Sequence, residues 1–242
     1  MKIFKADLHI HTCLSPCADV EMSPRNIPAE AKRQMIDILG ICDHNSAENT
    51  AALKEASARL GLRVLPGLEV TSREEVHILA LFDDVESALF LQEMIYASLP
   101  GENDEKVFGQ QVIADSEDEV LGFSPRLLIG ASELDLESIV RAIRSRGGMA
   151  IAAHIDRESF SLFGQLGFIP GHLELDALEI SPLISLDEAR LRFGEPRPLI
   201  ASSDAHVLSD IGRASTLFRM NEGTVEEIKM ALSKIDGRAI VN

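Results

Sequence analysis

The chain has 242 residues, 45% of them hydrophobic and 26% charged, with a formal charge of −16. That length and apolar content suit one α/β domain with a substantial core, while the acidic balance repels phosphate backbones and makes long nucleic acid the weakest of the phosphate-bearing partners. Cys13, Cys17 and Cys42 are too few and too irregularly spaced for a disulfide framework, no apolar run nears the roughly 20 residues that span a bilayer, and Met-Lys-Ile-Phe-Lys is no secretory start, so a reduced, cytoplasmic setting without a membrane partner is expected.

The first apolar segment, KADLHIHT (Lys5 to Thr12), alternates as a strand, with Asp7, His9 and His11 on one face and Leu8 and Ile10 on the other. By itself this stretch serves equally as a solvated strand face or as the start of a metal site. SPRNIPAEAKRQ then opens a helix, with Ser23 as N-cap and Pro24 in the first turn. A short strand, DILGICDHN, leads to a helix capped by Ser46 and ended by Gly61. RVLPGLEV and EEVHILALF read as two further strands, followed by a helix from about Val85 to Ala97.

Residues 98–133 break the rhythm and are too long for a simple connection. QQVIA and EVLGF, around the acidic DSED, are candidates for a hairpin, and the segment reads as a surface elaboration, a lid or a dimer contact. From Leu134 an amphipathic helix leads to the buried strand MAIAAH. LDALEIS, PLIASSDAH, STLFRM and RAIV are later strands, with GTVEEIKMALSKI as the last helix. Repeated βα units predict a parallel sheet, at this length a closed or nearly closed barrel, and no G-x-G-x-x-G turn supports an open doubly wound sheet.

The reactive residues collect at strand ends. His9 and His11 end the first strand, Asp43 and His44 the second and Glu69 the third; His154 ends MAIAAH, and Asp204 and His206 end PLIASSDAH. His77 lies within its strand, and His172 lies in a loop and reads as a surface residue. In a parallel barrel these ends share one face, where active sites are built. Imidazole with carboxylate suits zinc, manganese or iron, and so many candidate ligands imply more than one ion. Glu69 could bridge two ions, a pair able to generate hydroxide at neutral pH.

The motifs DLHIHT, CDHN, GLEV, AAH and SSDAH, in this order, resemble those of the polymerase-and-histidinol-phosphatase (PHP) family of metal-dependent phosphoesterases. The resemblance implies a single domain over residues 1–242, a distorted (βα)7 TIM-like barrel holding two to three divalent transition-metal ions. Carried over residue by residue, His9, His11, Glu69 and Asp204 would hold one ion. Glu69, His77 and His154 would hold a second, and His44 and His206 a third with an acid from the loop after the first strand. That loop, CLSPCADVEMSP, is longer than the family's usual form; Asp19 is the candidate acid, and Cys17 lies nearby. Asp7 and Asp43 match positions that support the ligands. Glu69, Asp204 and His206 are expected to carry catalysis.

The expected activity is hydrolysis of a small phosphomonoester or nucleotide, with Arg157 and Arg213 as candidate phosphate-binding residues; each serves equally well in a structural salt bridge. A short-oligonucleotide exonuclease is the alternative within the same chemistry. Amidohydrolases also begin with a histidine pair on a barrel strand, and many bridge their metals through a carbamylated lysine. None of Lys2, Lys5, Lys32, Lys54, Lys106, Lys229 and Lys234 ends a strand, which disfavours that route. A non-catalytic, metal-stabilised module is the remaining alternative.

Overall fold

The computed structural model describes residues 1–194 and 197–241. The first strand, β1 (Lys2–Ile10), is exposed at its start and buried over its last five residues. Helix α1 (Asn26–Arg33), strand β2 (Ile38–Ile41), helix α2 (Thr50–Ala58) and strand β3 (Arg63–Thr71) follow. Gly40 is required where β2 crosses close to β1, since a Cβ there would run into the backbone of Leu8. Both helices start later than the sequence suggests, at Asn26 and Thr50, although Ser23 Oγ still accepts from the Asn26 N–H at 3.3 Å. Ser23 Oγ donates to Asp118 at 2.8 Å, and Ser46 Oγ bonds the Tyr96 hydroxyl at 2.8 Å.

Strand β4 (His77–Leu81) departs from a strictly parallel barrel. It pairs antiparallel with β3, and only residues 72–76 join the two, far fewer than a parallel crossover needs. Helix α3 (Val85–Tyr96) leads into the 98–133 segment, which contains helix α4 (Glu105–Phe108), strand β5 (Val112–Ala114) and strand β6 (Val120–Phe123). β5 and β6 pair antiparallel, with Val112 opposite Phe123. The hairpin is lashed to the body: the Val112 N–H donates to Cys13 O at 2.9 Å, and the Asn49 amide bonds both Val112 O and the Ala114 N–H at 3.0 Å.

Helix α5 (Leu136–Ser145) is capped by Asp135 and buries Leu136, Ile139, Val140 and Ile143, one face of a helix of period 3.6. Strand β7 (Met149–Ala152), helix α6 (Leu162–Leu166), strand β8 (Ala177–Ile180), helix α7 (Leu186–Phe193) and strand β9 (Leu199–Ala201) come next. Strand β10 (Thr216–Met220), helix α8 (Val225–Leu232) and strand β11 (Ala239–Ile240) complete the described chain.

Among the described residues the main sheet has nine strands in the order β11-β10-β1-β2-β3-β4-β7-β8-β9. It curls until the segment after β9 meets the end of β1: Ile10 bridges Ala205, and the His11 N–H donates to Ala205 O at 3.0 Å. Leu65, Leu79, Ile151 and Ile200 pack inside the curl with Val225 and Ile228 of α8. That helix follows Met220, which pairs with Lys2, so it closes the end away from His9 and His11. Outside, Leu68, Ile78, Ala80 and Ala152 pack on α3 and α5, while Ile10, Leu39 and Ile41 pack on α1 and α2. None of the described helices is long and apolar enough to cross a membrane.

Candidate metal centre

Six imidazoles and two carboxylates converge at the open end of the curl. His9 lies in β1, and His11 one residue beyond it; His44 follows β2 and bridges Glu69, which sits within β3. Because β4 runs backwards, its first residue, His77, starts at the same mouth where the other strands end. His154 follows β7, and Asp204 and His206 follow β9. Three of the residues beside these strand ends take left-handed backbone conformations, with φ of 53° at Asn45, 28° at His154 and 51° at Asp204. Such conformations are costly for residues with a Cβ, and they re-aim the following side chains. β9 ends at Ala201, so Asp204 and His206 meet through a turn and not, as strand alternation suggests, on one strand face.

The donor atoms form three overlapping sets: His9, His11 and Asp204; His44, Glu69 and His77; and His11, His44 and His206. Around the first set, His9 Nε2 and His11 Nε2 are 3.1 Å apart and each lies 3.2 Å from Asp204 Oδ1. Ligands about 2.0–2.1 Å from a tetrahedral ion stand about 3.4 Å from one another, so these spacings suit such a centre. Glu69 faces two ways. Its Oε1 lies 2.7 Å from His77 Nδ1 and 3.1 Å from His154 Nε2, and its Oε2 lies 3.0 Å from His44 Nδ1. The grouping differs from the family carry-over in that His44 joins Glu69 and His77, and His11 joins His44 and His206.

The outer contacts fix where the protons are. His9 Nδ1 lies 2.9 Å from Glu179 Oε2; the carboxylate can only accept, so Nδ1 carries a proton and Nε2 is the nitrogen turned toward the cluster. Ser15 Oγ gives its single proton to Asp43 Oδ1 at 2.7 Å and therefore accepts from His11 Nδ1 at 2.9 Å, leaving His11 Nε2 bare. His206 Nδ1 likewise donates to the Asp204 carbonyl at 2.9 Å. Two buried ring nitrogens this close to each other need a proton or a metal cation between them. His44 Nδ1 is buried and makes no hydrogen bond despite its nearness to Glu69. The donor set thus fits transition-metal ions, and the outward hydrogen bonds are those that orient metal-ligating histidines.

The electrostatics agree. Burial favours a neutral Glu69, yet His77, His9 and His44 hold its carboxyl well below the usual carboxylate range. Burial alone would depress His9, but Asp204, Glu179 and Glu69 carry it well above the ordinary histidine value. The field that would hold a proton there also holds a divalent cation. Asp7 is buried, which pushes it up to about 6, and it accepts from the Ser203 and Gly212 N–H groups at 2.9 Å, fixing the loop that carries Asp204. Asp43 accepts from the Thr12 N–H and hydroxyl, both at 2.7 Å.

Two expected site residues lie elsewhere. Asp19 is exposed, its Oδ1 accepting from the Glu21 N–H at 2.9 Å, and it reaches the site only through its own N–H, which donates to His206 O at 2.8 Å. The longer loop turns the carboxylate outward. Arg213 pairs with Asp210 three residues away at 3.0 Å on the exposed side of the loop. Arg157, by contrast, lies 2.6 Å from Asp204 Oδ2 and lines a cavity of about 210 Å³ with His44, Glu69, His77, His154 and His206. Cys17 is an exposed residue whose thiol nonetheless meets two imidazoles: burial of the sulfur pushes it up, but hydrogen bonds with His206 and His44 bring it down to about 6. His172 is exposed beside Glu137. Glu179 and Ser15 are the functional residues that sequence reasoning missed. An acid closing the apolar strand ALEI, in the manner of Glu69 in GLEV, was the available signal for Glu179.

The family model described as the PHP domain matches residues 7–175, and the PHP-associated model matches residues 196–235. An uncharacterized protein of Methanocaldococcus jannaschii is 34% identical over 100 residues, covering 38% of this chain and 58% of the relative. A 5′–3′ exoribonuclease of Haemophilus influenzae is 24% identical over 194 residues, covering 62% of this chain and 68% of the relative. Among solved structures, the lesion-specific endonuclease Q of Pyrococcus furiosus aligns with a TM-score of 0.71 and 19% identity over 99% of this chain and 58% of its own. A Bifidobacterium adolescentis protein provisionally assigned as a metal-dependent phosphoesterase aligns at 0.55, with 18% identity, over 83% of this chain and 87% of its own. The chain therefore spans somewhat over half the length of the archaeal relative and of endonuclease Q, and at these identities the solved structures speak to fold.

Proposed function

The chain belongs to the PHP family, and on that premise we propose that it is a hydrolase that cleaves phosphoester bonds with two to three zinc, manganese or iron ions held at the mouth of its curled sheet. The observation that carries this reading is the pair His9 and His11, whose Nε2 atoms face each other at 3.1 Å beside Asp204 and Glu69. His9, His11, His44, Glu69, His77, His154, Asp204 and His206 are the ligands, and Glu69, Asp204 and His206 form the catalytic set. Bound ions supply Lewis acidity toward a phosphoryl oxygen and a lowered pKa for water.

The remaining work falls to the chain. Asp204 divides its oxygens, Oδ1 toward His9 and His11 and Oδ2 toward Arg157. The Arg157 guanidinium is thereby pinned at the cavity wall with donors left for two phosphate oxygens. Glu179 and Ser15 keep the His9 and His11 protons outside the cluster, and Asp7 holds the Asp204 loop so that the carboxylate does not rotate away. Ile129 and Phe160 close the cavity wall with apolar surface and limit water there.

A small phosphomonoester or nucleotide fits the narrow cavity, while the net charge of −16 works against a long phosphate backbone. A nucleic-acid substrate is the second reading, favoured by the exoribonuclease relative and by endonuclease Q, which has been solved with a 27-mer duplex bearing an abasic lesion at its active site. Metal-loaded protein assayed against a phosphomonoester panel, a 5′-phosphorylated oligonucleotide and a duplex with an abasic site tests both. Turnover of none of them by protein carrying more than one equivalent of metal would leave the metal-stabilised module as the better description.

A further inference from the structure

A second cavity, of about 470 Å³, adjoins the metal centre and shares His77, His154, Arg157 and Phe160 with it, extending outward to Leu183. Its size lies in the range that takes a small organic group. Phe160 stands at the junction. Its ring stacks on the imidazole of His77, with centroids 4.8 Å apart and planes 22° from parallel, yet the residue remains 40% exposed. Leu183, across the same cavity, is 76% exposed. Large apolar groups ordinarily avoid so much solvent beside a charged centre.

The backbone is also held for this placement. Phe160 has φ of 57°, a costly conformation for a bulky side chain, which persists only when its surroundings enforce it. Its carbonyl accepts from the His77 N–H at 2.9 Å. A Cβ at Gly164 would overlap the Glu158 carbonyl, so the loop can lie this close only over a glycine. On the other wall, Asp156 fixes Ser181 through its N–H at 2.8 Å and its hydroxyl at 2.6 Å, and Ser181 Oγ accepts from the Leu183 N–H at 3.2 Å. An aromatic side chain, three residues beyond Arg157, and an aliphatic one thus line the same cavity on loops held by these bonds.

We propose that Phe160 and Leu183 form a stacking subsite for the base of a nucleoside phosphate whose phosphoryl group lies on the metal centre beside Arg157. This rests on the phosphoester reading and narrows its substrate class to esters that carry a flat aromatic base, whether a free mononucleotide or the end of a strand. Stacking on an aromatic side chain is tolerant of base identity, so discrimination is between base and no base.

The test compares adenosine 5′-monophosphate with ribose 5-phosphate, by calorimetric affinity and by KM, on metal-loaded wild type, Phe160→Ala, Phe160→Trp and Leu183→Ala. Wild type should prefer the nucleotide, and Phe160→Ala should cut that preference roughly 5- to 150-fold, the usual worth of one stacked base. Phe160→Trp should restore it, and Leu183→Ala should reduce it less. Equal losses for both compounds in Phe160→Ala, or no preference in wild type, would overturn the subsite. If neither compound is hydrolysed, the phosphoester reading fails on that arm, while a base-dependent affinity lost in Phe160→Ala still supports stacking and its absence still overturns it. Should Phe160→Ala not fold, the Leu183→Ala preference decides in the same directions. A 5′-phosphorylated trinucleotide run alongside tells a strand end from a free nucleotide by which binds more tightly.

Discussion

His9 and Glu179 are 170 positions apart in the chain and meet at 2.9 Å in a fully buried hydrogen bond. Glu179 Oε2 also accepts from the His154 N–H at 3.1 Å, so one carboxylate sets the proton on one ligand and the backbone of another. Glu179→Gln should therefore weaken metal retention by about 10- to 100-fold, the usual cost of losing such an outer partner. Competition with a chelator of known affinity measures this, and wild-type retention in the variant would remove Glu179 from the support of the centre.

Glu69 shares its two oxygens among separate imidazole groups. Glu69→Gln keeps the shape but loses the charge, and we expect at least a ~100-fold fall in turnover together with the loss of one or more equivalents of metal. Elemental analysis beside a rate measurement checks both, with circular dichroism to establish that the barrel is folded.

Asp19→Asn should leave the metal stoichiometry as it is, because the side chain faces Glu21 and not the imidazoles. A drop of one equivalent in the variant would mean that the loop from Cys13 to Pro24 turns inward when metal binds.

Asp7→Asn tests whether the Asp204 loop is held from beneath. The amide can offer one oxygen to two N–H donors and sets its own NH2 against one of them, a buried mismatch worth about 1–3 kcal/mol. Urea unfolding should show a loss of that size, and metal affinity should fall with it; a stability equal to wild type would contradict the contact.

The Arg238 guanidinium, with help from the Asn221 N–H, holds Glu227 down to about 2 from an ordinary 4.5. A depressed carboxylate contributes stability that is complete above pH 4.5 and is lost as pH falls toward 2. Acid should therefore loosen β11 against α8 through that window. The protection of the Ala239 and Ile240 amides against hydrogen exchange, relative to the intrinsic rate at each pH, should fall there, and Glu227→Gln should flatten the response.

Apart from His77, every donor in the three sets is legible as a histidine or an acid at or near an apolar strand end, because parallel strands bring their carboxyl ends to one mouth. Two errors came from treating all strands alike. The residues between Thr71 and His77 are too few for a crossover, and that count alone would have turned β4 over and moved His77 from mid-strand to the mouth. Asp204 and His206 lie beyond the end of β9, where a left-handed turn does the placing. Loop position singles out Asp19 but says nothing about which way its carboxylate points once the nearby Glu21 N–H competes for it. The roles of Ser15, Glu179 and Phe160 depend on partners far along the chain, and no local pattern records such contacts.

The closure of the sheet at Ile10 and Ala205 also governs timing. His206 is made long after His11: at about 5–20 residues per second the ribosome needs roughly 10–40 s to travel from one to the other. Throughout that interval the first two imidazoles lack the Asp204 carboxylate, and an ion captured early has only part of its cage. The donor set is complete only after Asp204 and His206 have been made, and a chain truncated before Asp204 is left with an open seam as well as an incomplete centre.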